Sequence, residues 1–450
     1  MRPAARTRIP CVTTTAQAPA GSDPGLVASL RGLERNGRLL FAMRTLRMFG
    51  YGFLAVVLVL YLAAAGLDPI GIGLVLTLTL VGDTLISLWL TTNADRLGRR
   101  RVLVVGAALM LVAGITFAFT DWLPLLILAG AIGVISPTGN EVGPFLAIEQ
   151  AALTETIPGT RRTSTFAWYN LVGYVATASG ALGAGILSQV LIDGGSAPLD
   201  AYRAVVIGYA LIGAVMALGF SRLGPEVEPP RREAEAPDAI RRRFGLGRSK
   251  GVVLRLSALF SIDAFGGGFI PQSLMAYWFH LQFGVEPAAL GGIFFAANLL
   301  AAVSSLSAAR IAARIGLINT IVFTHLPSNV LLLLVPLMPT LELAVAVLLL
   351  RFSLSQMDVP TRQSYVMAVV DPDERSAAAG VTGIARTTGA AISPSISSVL
   401  VANAGLAALP FYLAGGLKIV YDLLLYRQFR GHGPPDVAGV RRPRRPSDAA

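Results

Sequence analysis

Charge, cysteine, lysine and histidine are all scarce in this chain, and each shortage excludes something. Charged residues make up 14% of the 450 positions, where a soluble globular chain carries about 25%, so too few remain to cover a water-exposed body. The single cysteine, Cys11, rules out an internal disulfide and a multi-cysteine metal site. Lys250 and Lys418 are the two lysines against 35 arginines, and neither lysine closes a Gly-rich phosphate loop, so nucleotide hydrolysis is not the energy source. Neither a nucleophile and base at workable spacing nor a metal-ligand cluster is present, so an enzyme is not supported and no cofactor or metal is expected. A net charge of +11 would point to nucleic acid in a soluble protein. Here the basic residues cluster in the connections between apolar runs, which is a topology signal and implies no nucleic-acid partner.

What is present is apolar length. The chain is 54% hydrophobic with a mean hydropathy of +0.64, and runs long enough to cross a bilayer, about 20 residues each, recur throughout. Short alternating segments of the β-barrel kind are not seen. The runs predict helices over 40–65, 71–93, 102–120, 123–149, 164–190, 203–222, 252–280, 290–312, 316–336, 341–366, 377–401 and 408–427. Twelve spans put both termini on one side of the bilayer. Arg203, at a helix edge, is the sole basic residue of one set of loops, and the other set carries the arginines, which by the positive-inside rule makes both termini cytoplasmic. Residues 1–38 lack a continuous apolar stretch and are interrupted by Pro10, Pro19 and Pro24, so they read as a disordered cytoplasmic tail rather than a signal peptide. Residues 223–250 read as a cytoplasmic linker and 429–450 as a second tail. These divide the chain into a half at 39–222 and a half at 251–428. The arginine bias suggests a GC-rich bacterial genome and hence a bacterial cytoplasmic membrane.

The two halves carry copies of the same landmarks. Phe49-Gly50-Tyr51-Gly52-Phe53 matches Phe265-Gly266-Gly267-Gly268-Phe269, and Asp68-Pro69 matches Glu286-Pro287. Gln150, Pro158 and Arg161 match Gln363, Pro372 and Arg375. Order and near-constant spacing mark an internal duplication. The loop Asn93-Ala94-Asp95-Arg96-Leu97-Gly98-Arg99-Arg100-Arg101 is repeated in worn form as Ala313-Arg314-Ile315-Gly316.

In Asp95, Arg96, Gly98, Arg99 and Arg100 the chain resembles the major facilitator superfamily, whose signature between spans 2 and 3 is a Gly followed by Asp-Arg-x-Gly-Arg-Arg or Lys. Thr91 stands where the leading Gly is usual, and Asn93 where Leu is. The resemblance implies an all-α integral membrane protein of twelve transmembrane helices in two six-helix pseudo-symmetric halves. It also implies a conformational gate, in which Asp95 belongs to a cytoplasmic charge network that holds the halves together in one state. A positive-inside anchor accounts for the arginines but not for Asp95 and Gly98. In helix 5, Gly173, Gly180, Gly183 and Gly185 fall where the superfamily's proton antiporters often carry a Gly- and Pro-rich motif, without the usual Gly-Pro pair.

Ionisable residues inside the spans cost a few kcal/mol or more in hydrocarbon and by default mark a pathway or a pair. Arg44, Arg47 and Tyr51 share one face of helix 1. Arg44 is expected to snorkel to the surface, and Arg47 is read either as an anion partner or as a structural anchor. Asp83 sits between Thr79 and Ser87 in a polar stripe of helix 2. The run Ser136-Pro137-Thr138-Gly139-Asn140-Glu141-Val142-Gly143-Pro144 predicts a broken helix 4. Glu141, Asp263 and Asp83 are the proton-coupling candidates, with a permanent ion pair as the alternative for Glu141, and Glu149 is assigned to the loop charge network. Asp263 stands where the repeat places Arg47, which predicts a pair across the halves. Arg47, Tyr51, Asn140, Gln272, Arg351, Asp358 and Arg386 are the substrate-cavity candidates. Asp358 is expected to pair with Arg362, leaving Arg351 for an anionic group, and Arg386 and Lys418 have no obvious local partner. His280 reads as interfacial. Trp168, Tyr169, Tyr174, Tyr277 and Trp278 either line an amphipathic cavity or form interfacial belts.

The expectation from sequence is a secondary transporter of a small molecule working in a lipid bilayer by alternating access on a proton gradient, preferentially an efflux antiporter of an organic or amphiphilic compound. A proton-linked or facilitative importer of a small, anionic nutrient is the alternative, and a transport-inactive membrane receptor is the reading from another class.

Overall fold

The computed structural model describes residues 33–157, 162–228, 247–371 and 374–430. Within them the chain is helical: α1 Arg35–Ala64, α2 Pro69–Leu97, α3 Arg99–Phe119, α4 Leu123–Ile132, α5 Phe145–Thr156, α6 Arg162–Asp193 and α7 Pro198–Ser221 form the first half. The second half comprises α8 Lys250–Gly268, α9 Gln272–Phe283, α10 Pro287–Ile315, α11 Leu317–Leu334, α12 Leu341–Ser355, α13 Asp358–Val369, α14 Arg375–Ala402 and α15 Leu409–Phe429. Among the described residues ten helical segments are long and apolar enough to cross a membrane, with α8–α9 and α12–α13 each counted as one. The other two of the expected twelve are α4–α5, which is split, and α14, which is long but rich in Ser, Thr and Gly. Large apolar side chains such as Leu85, Phe119, Leu211 and Leu218 point outward, as lipid-facing residues must.

Local chemistry sets the helix ends. Asp68 accepts a hydrogen bond from the Gly71 amide at 2.9 Å and Pro69 occupies the first turn of α2, the combination that starts a helix. The matching Glu286-Pro287 starts α10 without a side-chain cap. The two copies of the charged turn reverse direction at Gly98, with φ of +95°, and Gly316, with φ of +87°, a backbone conformation that glycine adopts without steric cost.

Three spans are discontinuous. The break expected from Ser136 to Pro144 separates α4 from α5. Two breaks were not expected: the helix read as continuous over 252–280 stops at Phe269–Pro271, and the one over 341–366 stops at Gln356–Met357. Pro271 and Pro360 explain them, since a proline lacks the amide donor and restricts the residue before it. The helix α1 begins at Arg35, inside the stretch read as tail, and residues 223–228 of the expected linker pack against the first half. Residues 1–32, 229–246 and 431–450 of the tails and linker, with Pro158, Arg161 and Pro372 of the repeat, lie outside the described residues.

Pseudo-symmetry shows in which helices touch. In the first half α1 packs on α6, α3 on α7, and α2 on α4; in the second, α8 packs on α14, α11 on α15, and α10 on α12. Each pair has its counterpart. Between halves, α6 meets α10, α2 meets α14 and α1 meets α9. These contacts are backbone-close toward the face opposite the α2–α3 turn. A Cβ on Gly185 would lie 2.4 Å from the Pro287 carbonyl oxygen, and one on Gly73 would lie 2.7 Å from the Ser395 Cα. Ser395 donates to the Gly73 carbonyl oxygen at 3.1 Å and its hydroxyl lies 2.7 Å from Thr77 Oγ1. Toward the other face, which carries the starts of α1, α8 and α14, Gly380 and Gly383 of α14 have nothing within 4 Å of a Cβ. The halves are therefore closed at one face and part toward the face where α1 starts.

On that open face each half closes on itself. The Glu374 carboxylate accepts from the amides of Gly247 at 2.8 Å, Arg248 at 3.0 Å and Ser249 at 3.0 Å. Burial acts to raise this carboxyl, but the three amides outweigh it and hold it below the usual carboxylate range. The clasp is therefore present at neutral pH and above, and is lost as pH falls through that lowered value.

Two outcomes follow. A Cβ on Gly52 would lie 2.0 Å from the Thr177 carbonyl oxygen, so Gly52→Ala forces α1 from α6 at a cost of about 1–3 kcal/mol; the melting temperature in detergent falls, and an unchanged value refutes the close packing. Glu374→Ala exposes the amides of residues 247–249 to hydrogen exchange at pH 7, and wild type shows the same exchange only below the usual carboxylate range.

Candidate functional site

Because a charge in hydrocarbon must be paired or solvated, the buried ions map the site. In the first half the helix face of Arg44, Arg47 and Tyr51 turns toward the α4–α5 break. Arg47 is fully buried and grips Glu149 of α5 with both terminal nitrogens, Nη2 to Oε2 at 2.8 Å and Nη1 to Oε1. The hydroxyl of Tyr169 in α6 donates to the same Glu149 carboxylate. Glu149 is thus a core residue and not part of a surface network. The sequence places it near a helix end, but the helix break lets α5 tilt it inward.

Glu141, in the break, bridges both arginines. Its Oε2 accepts from Arg44 Nη1 at 2.8 Å, and its Oε1 lies 2.7 Å from Arg47 Nη2, off the hydrogen-bond axis. Its side chain keeps 19% exposure where that of Glu149 has none, so it is the carboxylate of this cluster that solvent can reach. Arg44 does not snorkel: its Nε donates to the Tyr169 carbonyl oxygen at 2.7 Å and its guanidinium stacks over the Tyr169 ring. The hydroxyl of Tyr51 donates to the Val142 carbonyl oxygen at 3.1 Å. Asp83 accepts from Ser87 Oγ at 3.2 Å, as the polar stripe suggested.

The second half holds the counterpart with signs reversed. Asp263 of α8, equivalent to Arg47 by the repeat, accepts from Arg362 Nη1 of α13 at 3.0 Å, and Arg362 follows Glu149 by the same spacing that relates Gln150 to Gln363. The expected pair of Arg47 with Asp263 across the halves does not form. Each ion finds its partner inside its own half, because the repeat reverses the charge of both members. Lys418 Nζ lies 2.6 Å from Asp263 Oδ1, which gives Lys418 the partner that sequence did not supply. Arg362 also reaches Asp358 at 3.1 Å, the pair expected from their spacing.

Two residues of this cluster escaped the sequence reading. His325 of α11 places Nδ1 2.9 Å from Asp422 Oδ1 of α15 and Nε2 3.8 Å from Asp263 Oδ1, and Asn329 Nδ2 donates to Asp422 Oδ2 at 3.0 Å. The signal was available: each is an ionisable residue within an apolar run.

The other candidates scatter. Arg351 is buried at the end of α12, stacked over Phe352, and neither it nor Arg386 of α14 has a salt bridge or hydrogen bond among the described residues; the Nε of each is buried and unpartnered. Asn140 is exposed in the break. Gln272 starts α9 and accepts from Asn298 at 3.2 Å, leaving its own Nε2 buried without an acceptor. Among the aromatics, Tyr169 and Trp278 are buried in packing, Trp278 against Phe279, Phe283 and Phe411, so they do not line a cavity. The side chain of Tyr174 lies near Ser305 of α10 between the halves. His280 closes α9, its Nδ1 2.9 Å from the Val285 carbonyl oxygen.

At the open face, Asp95 is half exposed and accepts from Arg99 Nε at 2.9 Å. Glu228 accepts from the amides of Arg99 at 2.7 Å and Arg100 at 3.1 Å, an anion seated at the start of α3. Arg96 is exposed. Every partner here belongs to the first half.

A family model described as Major Facilitator Superfamily matches residues 40–394. An uncharacterized membrane protein of Saccharomyces cerevisiae, YJR124C, is 31% identical over 436 residues, covering 91% of this chain and 97% of the yeast protein. Among solved structures, the D-xylose-proton symporter superposes with a TM-score of 0.67 at 15% identity, covering 87% of this chain and 97% of its own. The nucleoside transporter NupG does so with 0.66 at 14% identity, covering 88% and 100%. By family match, by fold and by the duplicated helical halves, this chain is a multi-pass membrane protein that belongs to the major facilitator superfamily of transporters.

Proposed function

We propose that this chain is a secondary active carrier that moves a small organic anion together with protons by alternating access. One observation carries the reading: Arg351 is buried and Arg386 half-buried with its Nε enclosed, and neither has an acid within salt-bridge distance among the described residues, where Arg44, Arg47, Arg99 and Arg362 each have one. Arg351 lies ten residues into α12 and Arg386 eleven into α14, each about 15 Å past the start of its helix and hence near the bilayer midplane. The acid close enough to act on Arg351 is Asp358, which Arg362 already holds. Guanidinium groups bind carboxylate and phosphate in forked geometry, so an anionic solute completes a pairing that the protein leaves open.

The sense of coupling follows from linkage. A proton taken up by the neighbouring aspartate cluster adds positive charge beside the anion site, so proton and anion favour each other's binding. Cooperative binding drives uptake on an inward proton gradient, whereas an antiporter needs the two to compete. This ranks the importer ahead of efflux, which rested on mainly apolar cavity candidates and on the family resemblance; of the aromatics, Tyr169 and Trp278 are occupied in packing. Glu141, the solvent-reached carboxylate of the first half, and Asp83 remain coupling candidates there.

We place the open face on the cytoplasmic side of a cell membrane because the arginine-rich loops lie there. A relative in yeast means that such chains also occur in a eukaryote. In this inward-open state Asp95 has partners in its own half only. Its gating role requires new partners from the second half when that face closes, a change of partners that a half-exposed carboxylate among arginines can make.

In cells or liposomes carrying radiolabelled pyruvate, succinate, citrate or inorganic phosphate, wild type accumulates at least one acid under an inward pH gradient. Arg351→Gln and Arg386→Gln each lower that uptake about tenfold or more at matched expression, the loss of one charge-assisted hydrogen bond. Accumulation that is instead lowered by the wild-type chain would reverse the direction to efflux, and no movement of any acid rejects the anion reading. Asp95→Asn lowers net uptake about fivefold or more while leaving acid binding unchanged; unimpaired uptake removes the gate.

A further inference from the structure

Asp422 is fully buried, and His325 is the one group among the described residues that can act as its countercharge within salt-bridge distance. Asn329 fixes the carboxylate by donating to Oδ2, which turns Oδ1 toward His325 Nδ1. With hydrogen on Nδ1 the ring donates to that oxygen across 2.9 Å, and Asn329 Nδ2 lies 3.2 Å from the same nitrogen. The other ring nitrogen, Nε2, then decides the charge. It points at Asp263 Oδ1 across 3.8 Å. With a proton on Nε2, an imidazolium stands between two carboxylates. Without it, a bare nitrogen faces an oxygen acceptor and Asp422 keeps no cation.

The groups that face this pair come from every side. Asp263 enters from α8, Arg362 and Asp358 from α13, Lys418 and Tyr421 from α15, the Tyr421 ring edge-on to His325 at 6.0 Å, and, within electrostatic reach of Asp263, Arg386 from α14. Three aspartates thus share two fixed cations, Arg362 and Lys418, with Arg386 supplying the balance from outside the hydrogen-bonded cluster. An anion that takes Arg386 withdraws that balance, and a proton on His325 restores it.

We propose that His325 and Asp422 form a proton-holding site in the second half, loaded and emptied at His325 Nε2 through Asp263 and Lys418. The proton leaves Nε2 for water reached past Lys418, whose side chain keeps 11% exposure, and the buried cluster becomes more negative by one. For its role in transport the site rests on the proton-coupled reading above, while its protonation can be tested alone.

The chain has three histidines, so solid-state NMR of full-length protein in lipid with isotope-labelled histidine resolves them, and the signal missing in His325→Gln is that of His325. The expected result is a pH-dependent change from imidazolium to neutral ring, abolished in Asp422→Asn and restored in Asp422→Glu. A His325 ring that keeps one form in wild type, or that behaves the same in Asp422→Asn, overturns the site. In liposomes, with the acid of the panel above that wild type carries, Asp422→Asn and His325→Gln keep exchange at equal pH within about threefold but lose gradient-driven accumulation. Retained accumulation in both variants overturns the coupling role, and loss of exchange together with accumulation in well-folded variants assigns the residues to the fold and overturns it as well. If no acid moves, the anion reading fails while the NMR measurement still decides whether the pair holds a proton.

Discussion

A buried arginine cannot be left alone, and Arg47 organises the first half around that constraint. Its side chain has no solvent contact and its guanidinium is met by Glu141, Glu149 and the face of Phe145, so α1, the α4–α5 break and α5 are fixed relative to one another. Removing one member of such a pair strands the other, at about 3–5 kcal/mol. Asp263 does the same work in the second half through Arg362 and Lys418. Each half is thereby tied internally, which a carrier that rocks its halves as units requires.

The helix breaks make these pairs geometrically available. A continuous helix presents one stripe per face, and Glu141 and Glu149 would then reach the same neighbour only by chance of rotation. Interrupting the chain between Ile132 and Phe145 lets Glu141 approach from irregular backbone and Glu149 from a fresh helix start, both onto Arg47. Irregular backbone inside a bilayer survives where protein covers it, and here Ser136 accepts that task by donating to the Asn140 carbonyl oxygen at 2.7 Å, as does Pro137 by accepting from the Ser273 amide across the halves at 3.1 Å.

Spans, duplication and the charged turn were legible in the sequence because each leaves a local mark: apolar length, repeated spacing, and Gly98 where the backbone turns left-handed. The first proline break was legible for the same reason. Apart from Asp358 with Arg362, four residues apart on one helix, the partners of the buried ions were not. Arg47 and Asp263 occupy equivalent positions with opposite charge, and nothing in one dimension distinguishes a pair across the halves from two separate pairs within them; the answer lay in Glu149 and Arg362, whose charges are reversed in step. His325 and Asp422 lie 97 residues apart and were passed over as single polar residues in apolar runs, although that isolation is itself the mark of a buried pair.

Duplication with reversed charge also explains why the halves divide the labour. In the first half two arginines meet two glutamates and the account closes, apart from the solvent contact of Glu141. In the second, the same scaffold has gained a histidine, a lysine and two unpaired arginines, and its charges depend on what occupies the space between the halves. The motifs that repeat, the glycine turn and the helix-starting prolines, are those that build the scaffold. Chemistry is found where the copies differ, and a half whose electrostatics are incomplete without a proton or an anion is the half that can sense both.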